Sequence, residues 1–226
     1  KNVAVDVYTD GNPAVSGNTE ANAVYVDATP PVVTLGSTPT TPTTNPRPTW
    51  TWSGNDPVNP VYPLCSSGLD YYIVTLDGEL PFQTTSTSFK PSSNLADGAH
   101  VLKVKAVDRA GNVGTEQSFA AVTIDTASPP APAIAALAAG YNTSPIAIDW
   151  NDVTDGTNTI SYVLEYAGNA GFSGATPAAR ATSDYSFDAA AAGQGQYWFR
   201  AKTVSRLPGS GGIKESDWSL IASTIY

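Results

Sequence analysis

Residues 98–108 read GAHVLKVKAVD and residues 195–205 read GQYWFRAKTVS. The two stretches align without a gap, Gly on Gly and Val107 on Val204, one period apart along the chain. In the first, Leu102, Val104 and Ala106 alternate with Lys103, Lys105 and Val107; in the second, Phe199, Ala201 and Thr203 take the same inward places. A period of two with one apolar face is the pattern of a half-buried β-strand. Working outward, AVTIDTASPP at 121–130 echoes AVYVDATPP at 23–31, and PTWTWSG around Trp52 recurs as PIAIDWN around Trp150, with Ile148 in the place of Trp50. All three anchors give one period of about a hundred residues. That is the size of a whole domain and far longer than the roughly 20 to 50 residues of a solenoid repeat.

This period divides the 226 residues into a partial unit, 1–28, and two complete ones, 29–127 and 128–226. Both complete units consist of short alternating stretches separated by Gly, Pro, Asn and Asp clusters, which predicts an all-β fold. AIAALAA, from Ala133, has helix-forming residues but follows PPAP and falls where the first strand of the unit belongs, so it is expected to be an edge strand. In residues 1–28, Val3, Val5 and Val7 alternate like a sixth strand, and Val24 and Val26 like a seventh. They are expected to form the closing hairpin of a preceding or shared unit, which needs a partner because an isolated hairpin is marginal in water.

Trp52 and Trp150, each followed by a Tyr-rich strand (DYYIVTLDG from Asp70, SYVLEYAG from Ser161) and then by the Gly-x-[His/Tyr] strand above, resemble fibronectin type III and bacterial immunoglobulin-like modules. LADGAHVLKVKAVDRAGN, residues 95–112, is especially similar to tandem modules of bacterial surface proteins. The resemblance implies tandem seven-stranded antiparallel sandwiches, strung end to end through the Pro-rich DATPP and DTASPP junctions. It also implies an extracellular or cell-surface address. It implies no catalytic function, since this fold hosts many unrelated roles.

Composition restricts the partners. The formal charge is −9, the sequence pI is about 4.3, and only 14% of residues are charged, against about 25% in an ordinary soluble domain. An acidic chain lacks the basic footprint that phosphate backbones require, which argues against nucleic acid. No apolar run approaches the roughly 20 residues that span a bilayer. The chain begins at Lys1 and has no Met, and it reads as a mature piece. One Cys and one His cannot form a Cys/His metal site or a disulfide framework. Expected partners are neighbouring chains or domains of the same array, with carbohydrate as the alternative.

Candidate chemistry is sparse. His100, the single imidazole, aligns with Tyr197 and is expected to be a polar corner residue rather than a general base. Cys65 lies in NDPVNPVYPLCSSG, a loop about eight residues longer than its counterpart NDVTDGTNT; it is read as a shielded thiol, with an intermolecular or redox role as the alternative. Asp149, Asp152 and Asp155 are close in sequence, but nothing in the sequence aims them at a cleft. Tyr71, Tyr72, Trp198 and Trp218 are candidates for a sugar-stacking platform, with Trp198 expected to stack on Arg200. GSTPTTPTTNPRP, residues 36–48, is expected to be a stiff connection between first and second strands, its threonines from Thr38 to Thr44 open to O-glycosylation. Asn142-Thr143-Ser144 is the one N-glycosylation sequon. Asp27 and Asp125 end successive units, and Asp10 and Asp108 lie in the preceding hairpin loops. Hard cations need several such oxygens, and the resemblance implies calcium at junctions of this kind. Solvated turn aspartates are the competing reading, and no DxDxDG loop is present.

These features favour a non-catalytic structural or adhesive module array, a stalk, surface-layer or filament component. An accessory spacer or carbohydrate-binding region of a secreted polysaccharide-degrading enzyme is the alternative.

Overall fold

The computed structural model describes residues 27–58, 66–209 and 211–226. The expected hairpin of residues 1–28, except Asp27 and Ala28, and Asp10 and Cys65 with it, lies outside the described residues. The chain divides into two compact units: the described residues up to Pro39 with Arg47–Thr123, and Thr40–Pro46 with Ile124–Tyr226. The sequence period places the division at 127/128.

The first unit is built from nine short strands among the described residues. These are β1 (Val32–Leu35), β2 (Trp50–Asn55), β3 (Leu69–Leu76), β4 (Phe82–Thr84), β5 (Ser88–Phe89), β6 (Gly98–His100), β7 (Leu102–Asp108), β8 (Gln117–Ser118) and β9 (Val122–Ile124). One sheet has the order β1-β2-β5, the facing one β4-β3-β7-β8, and β6 pairs β9. The alternation read in the sequence holds at the start of β7, where Leu102, Val104 and Ala106 are fully buried and Lys103 is exposed. It fails at the end, where Val107, expected outward, is buried because the chain after β7 returns over it through the Val107–Val113 bridge. Across the β3/β7 ladder, Tyr72 lies opposite Ala106 and Val74 opposite Val104. Trp50 and Trp52 of β2 point inward, and Trp52 meets Tyr72 edge-on with centroids 5.8 Å apart. After β7 the chain passes so close to the lead-in of β1 that a Cβ at Gly114 would run into the Pro31 carbonyl, so only glycine fits there.

The second unit repeats the plan. Its strands are β10 (Ile146–Asp149), β11 (Thr159–Ala167), β12 (Thr176–Arg180), β13 (Asp184–Phe187), β14 (Gln196–Arg206), β15 (Ile213–Glu215) and β16 (Ala222–Ile225). β10 pairs β13; the larger sheet runs β12-β11-β14-β15, with β16 also on β14. Tyr162 lies opposite Thr203 and Leu164 opposite Ala201, the same register as β3 on β7. Trp150 meets Tyr162 edge-on at 5.5 Å, which makes it the equivalent of Trp52. Phe187 anchors an aromatic cluster with Tyr166, Tyr197 and Phe199. The single helix among the described residues, α1 (Ala189–Ala192), is one turn whose N-terminus is capped by the Asp188 carboxylate accepting from the Ala191 N–H. No helix is long and apolar enough to cross a membrane among the described residues.

The AIAALAA stretch forms less than a strand. Ile134 makes one antiparallel bridge to Trp150, and the Ala135 N–H donates to the Asp149 carbonyl. The Pro residues just before it remove the donors that would extend a ladder. The Thr/Pro tract does connect β1 to β2, and its residues Thr40–Pro46 belong to the second unit. There Thr43 bridges Ile124 in parallel and accepts the Asp125 N–H, and the Thr44 N–H donates to the Gly211 carbonyl.

Candidate metal centre

In the first unit three carboxylates converge: Asp27 from the lead-in to β1, Asp56 from the loop after β2, and Asp108 at the end of β7. One oxygen from each lies within 4.8 Å of the others. Local chemistry holds each in place. Asp27 caps the chain turn by accepting from the Thr29 N–H at 3.0 Å and reaches across to the Ser67 N–H at 2.8 Å. Asp56 Oδ2 accepts from the Gly68 N–H at 2.7 Å and the Ser66 hydroxyl at 3.0 Å. Asp108 accepts from the Asn112 N–H at 2.7 Å and from its side-chain amide at 2.9 Å. That amide also donates to the Asp27 carbonyl.

Every one of these donors is neutral. Among the described residues no Lys or Arg forms an ion pair with the three carboxylates. At this separation each pair of like charges repels by roughly 3 to 4 kcal/mol at an effective dielectric of about 20. Asp108 is only 1% exposed, so water screens little of it. Asp56 Oδ1 is buried and has no hydrogen-bond partner among the described residues, which by itself costs about 1 to 3 kcal/mol. A hard cation relieves both penalties, and an all-oxygen, multiply anionic donor set is the kind calcium takes. Burial works to raise the Asp27 carboxyl, but the N–H groups of Thr29 and Ser67 and the Ser67 hydroxyl outweigh it and hold its pKa below the ordinary value.

The second unit has a related constellation with a different solution. Asp125 from its lead-in and Asp155 from the loop after β10 both receive Lys214 of β15, at 2.6 and 2.8 Å. The Ser205 hydroxyl donates to Asp155 at 2.6 Å, and the Asn158 amide donates to both carboxylates. The Lys214 side chain is 4% exposed. Its burial disfavours the charge, but the two carboxylates more than offset that and raise its pKa. Asp155 is likewise raised by burial but lowered, on balance, by Lys214, Ser205 and Asn158.

Of the four aspartates singled out in the sequence, Asp27 and Asp108 share one cluster, Asp125 sits in the other unit with Lys214, and Asp10 lies outside the described residues. Sequence reasoning missed Asp56, because it sits in the long loop where the repeat loses register. Lys214 was missed because nothing local marks a strand lysine as buried. His100 is the corner residue expected: Nε2 lies 2.8 Å from the Ala96 carbonyl and Nδ1 2.6 Å from Asp77. Tyr197 does the same one period later, its hydroxyl 2.7 Å from the Gly193 carbonyl. Arg200 does not stack on Trp198 as expected. Its guanidinium lies 4.2 Å from the Phe172 ring centroid and 4.3 Å from that of Trp218, with Glu165 bound at its edge. The segment after β15 brings Trp218 over the face that Arg200 shares with Lys202. Asn142 is exposed.

A family model described as a bacterial Ig-like domain matches residues 72–126, the span from β3 to just past β9. Among solved structures, the chicken CNTN1 FN1-FN3 domains align at 18% identity over 88% of this chain and 69% of that one, with a TM-score of 0.34. No curated protein matches the chain. The sheets and the matching Trp/Tyr edge-on pairs make both units all-β sandwiches, and residues 72–126 of the first are similar to a bacterial Ig-like domain.

Proposed function

We propose that this chain is a non-catalytic structural or adhesive module array on a bacterial cell surface, a stalk, surface-layer or filament component. Its first unit is stiffened by calcium at Asp27, Asp56 and Asp108. The observation that carries the reading is the use of polar chemistry as scaffolding in both units. The one imidazole has one ring nitrogen on Asp77, in the turn after β3, and the other on the Ala96 carbonyl just before its own strand. The buried cation Lys214 ties a lead-in segment and a loop to its own strand. Bonds that fasten segment to segment suit a module that bears load or displays a surface. Calcium would supply the same fastening in the first unit, joining the lead-in, the loop after β2 and the end of β7.

The accessory-region alternative needs an open aromatic platform, and Trp218 is already stacked with Arg200. Excising the coding segment from the parent gene should impair surface attachment or assembly of the producing cells and leave secreted polysaccharide hydrolysis unchanged. Retention of the purified chain in affinity electrophoresis through soluble polysaccharides, abolished by Trp218→Ala, would replace this reading with the accessory one.

A further inference from the structure

The two units carry the same sandwich, so their ion sites can be compared position by position. Asp27 and Asp125 stand at the same phase of the repeat, each in a unit's lead-in. Asp56 and Asp155 both come from the loop that precedes the Tyr-bearing strand. In the paired ladders, Tyr72 faces Ala106 as Tyr162 faces Thr203. Two residues further along those strands, Asp108 of the first unit corresponds to Ser205 of the second. The segment that follows each long strand then supplies one more residue. Ser205 pairs with Lys214 in the β14/β15 ladder, and Asp108 donates its N–H to the Asn112 carbonyl. Asn112 therefore holds in the first unit the place that Lys214 holds in the second.

Two differences separate the sites: Asp108 against Ser205, and Asn112 against Lys214. Both move the charge in the same direction. The second site has two carboxylates and one ammonium, which leaves one negative charge. The first has three carboxylates and a neutral amide, and it reaches the same single negative charge only by gaining a divalent cation. The fastening is also the same. The Lys214 ammonium touches the lead-in aspartate and the loop aspartate, the two elements whose counterparts meet Asp108 in the first unit. In the first unit no described donor reaches the buried Oδ1 of Asp56, whereas Asp155 of the second is met by Lys214, Ser205 and Asn158 together.

We propose that Lys214 is a built-in cation doing permanently in the second unit what a bound divalent cation does at Asp27, Asp56 and Asp108 in the first, so that one unit of this chain is calcium-dependent and the other calcium-independent. The proposal rests on reading the first cluster as a calcium site. Its consequence is graded stiffness: loss of calcium loosens one module while its neighbour stays locked.

The test is calorimetric titration of the intact chain with calcium, alongside hydrogen exchange with and without the ion. The parent should bind one calcium, and Asp56→Asn should bind none. The double variant Ser205→Asp/Lys214→Asn, which gives the second unit the residues of the first, should bind two. In the parent, calcium should slow exchange at the Ser67, Gly68 and Asn112 amides and leave those of Asn158, Thr203 and Ser216 unchanged. A parent that binds no calcium sinks both the site and the proposal, while the module-array reading stands. A natively folded double variant that still binds one ion refutes the equivalence of lysine and metal alone. Should that variant not fold, the exchange pattern of the parent decides: equal calcium protection in both units overturns the proposal.

Discussion

His100 and Tyr197 show how one structural task is met by two chemistries. His100 sits two residues before β7 and Tyr197 just inside β14, the long strands of their units' larger sheets, and each returns to a carbonyl four residues back. The imidazole adds a sensitivity that the phenol lacks. Burial opposes its charged form, yet the Asp77 carboxylate and the Ala96 carbonyl outweigh that and raise its pKa above the usual histidine value. A raised folded-state pKa contributes stability that is fully present below the unfolded value, about 6.5, and is lost as pH rises through the folded value. Melting temperatures taken across this range should fall with rising pH in the parent. In a His100→Gln variant that component should vanish, and an unchanged slope would show that His100 does not carry it. At the same scale, Trp52 and Trp150 are buried and meet Tyr72 and Tyr162 in the same edge-on geometry. Truncating either to Ala should cost about 3 to 5 kcal/mol in denaturant unfolding; among the described residues neither indole N–H has a hydrogen-bond partner, so none adds to that loss.

At the scale of elements, β15 is only three residues long, too short for its ladder to hold it firmly. Its central residue, Lys214, supplies the missing anchorage by bonding Asp125 and Asp155. Lys214→Ala leaves two carboxylates facing each other without a cation. Breaking a buried ion pair costs roughly 3 to 5 kcal/mol, and because the two carboxylates are 29% and 21% exposed the lower end, about 3 kcal/mol, is expected for the second unit. Equilibrium unfolding followed at neutral pH measures it. The sign with pH follows from both partners. The raised Lys214 contributes below its unfolded value and is lost as pH rises through its folded one. The depressed Asp155 contributes above its unfolded value and is lost as pH falls through its folded one. The parent's advantage over the variant should therefore be widest in the neutral range and narrow at both extremes; a difference independent of pH would mean that lysine acts through its alkyl stem.

At the scale of the whole molecule, the chain holds two cores with no residue in common, one around Trp50, Trp52 and Leu102, the other around Phe187, Phe199 and Trp150. Losses in separate cores are expected to be independent. Differential scanning calorimetry should show Trp52→Ala lowering one transition and Trp150→Ala another, with the double variant showing both shifts. A single transition lowered equally by either substitution would mean that the units unfold as one. Much of this duplication was legible beforehand: Trp52 and Trp150, and Leu102 and Phe199, are matched by their spacing, because every strand residue of a sandwich faces either the core or water. Asp27 and Asp108 were legible as oxygen donors near unit ends. Their company was not, because Asp56 reaches them from a loop of unmatched length, and Lys214 is brought to its aspartates by the pairing of β15 with β14.

The sequence by itself determined the β class, the period of about a hundred residues, the buried face at Leu102, Val104 and Ala106 and at Phe199, Ala201 and Thr203, and the two tryptophan anchors, since these depend on periodicity and on residue size, both properties of short stretches. The tertiary structure alone decided that Thr40–Pro46 belongs with the second unit, that Arg200 stacks on Trp218 rather than Trp198, and that three aspartates of one unit meet while two of the other close on a lysine. Those outcomes depend on loops crossing in space. The electrostatic energy that separates them acts over a few ångströms between residues about 15 to 90 positions apart, a distance that no local pattern records.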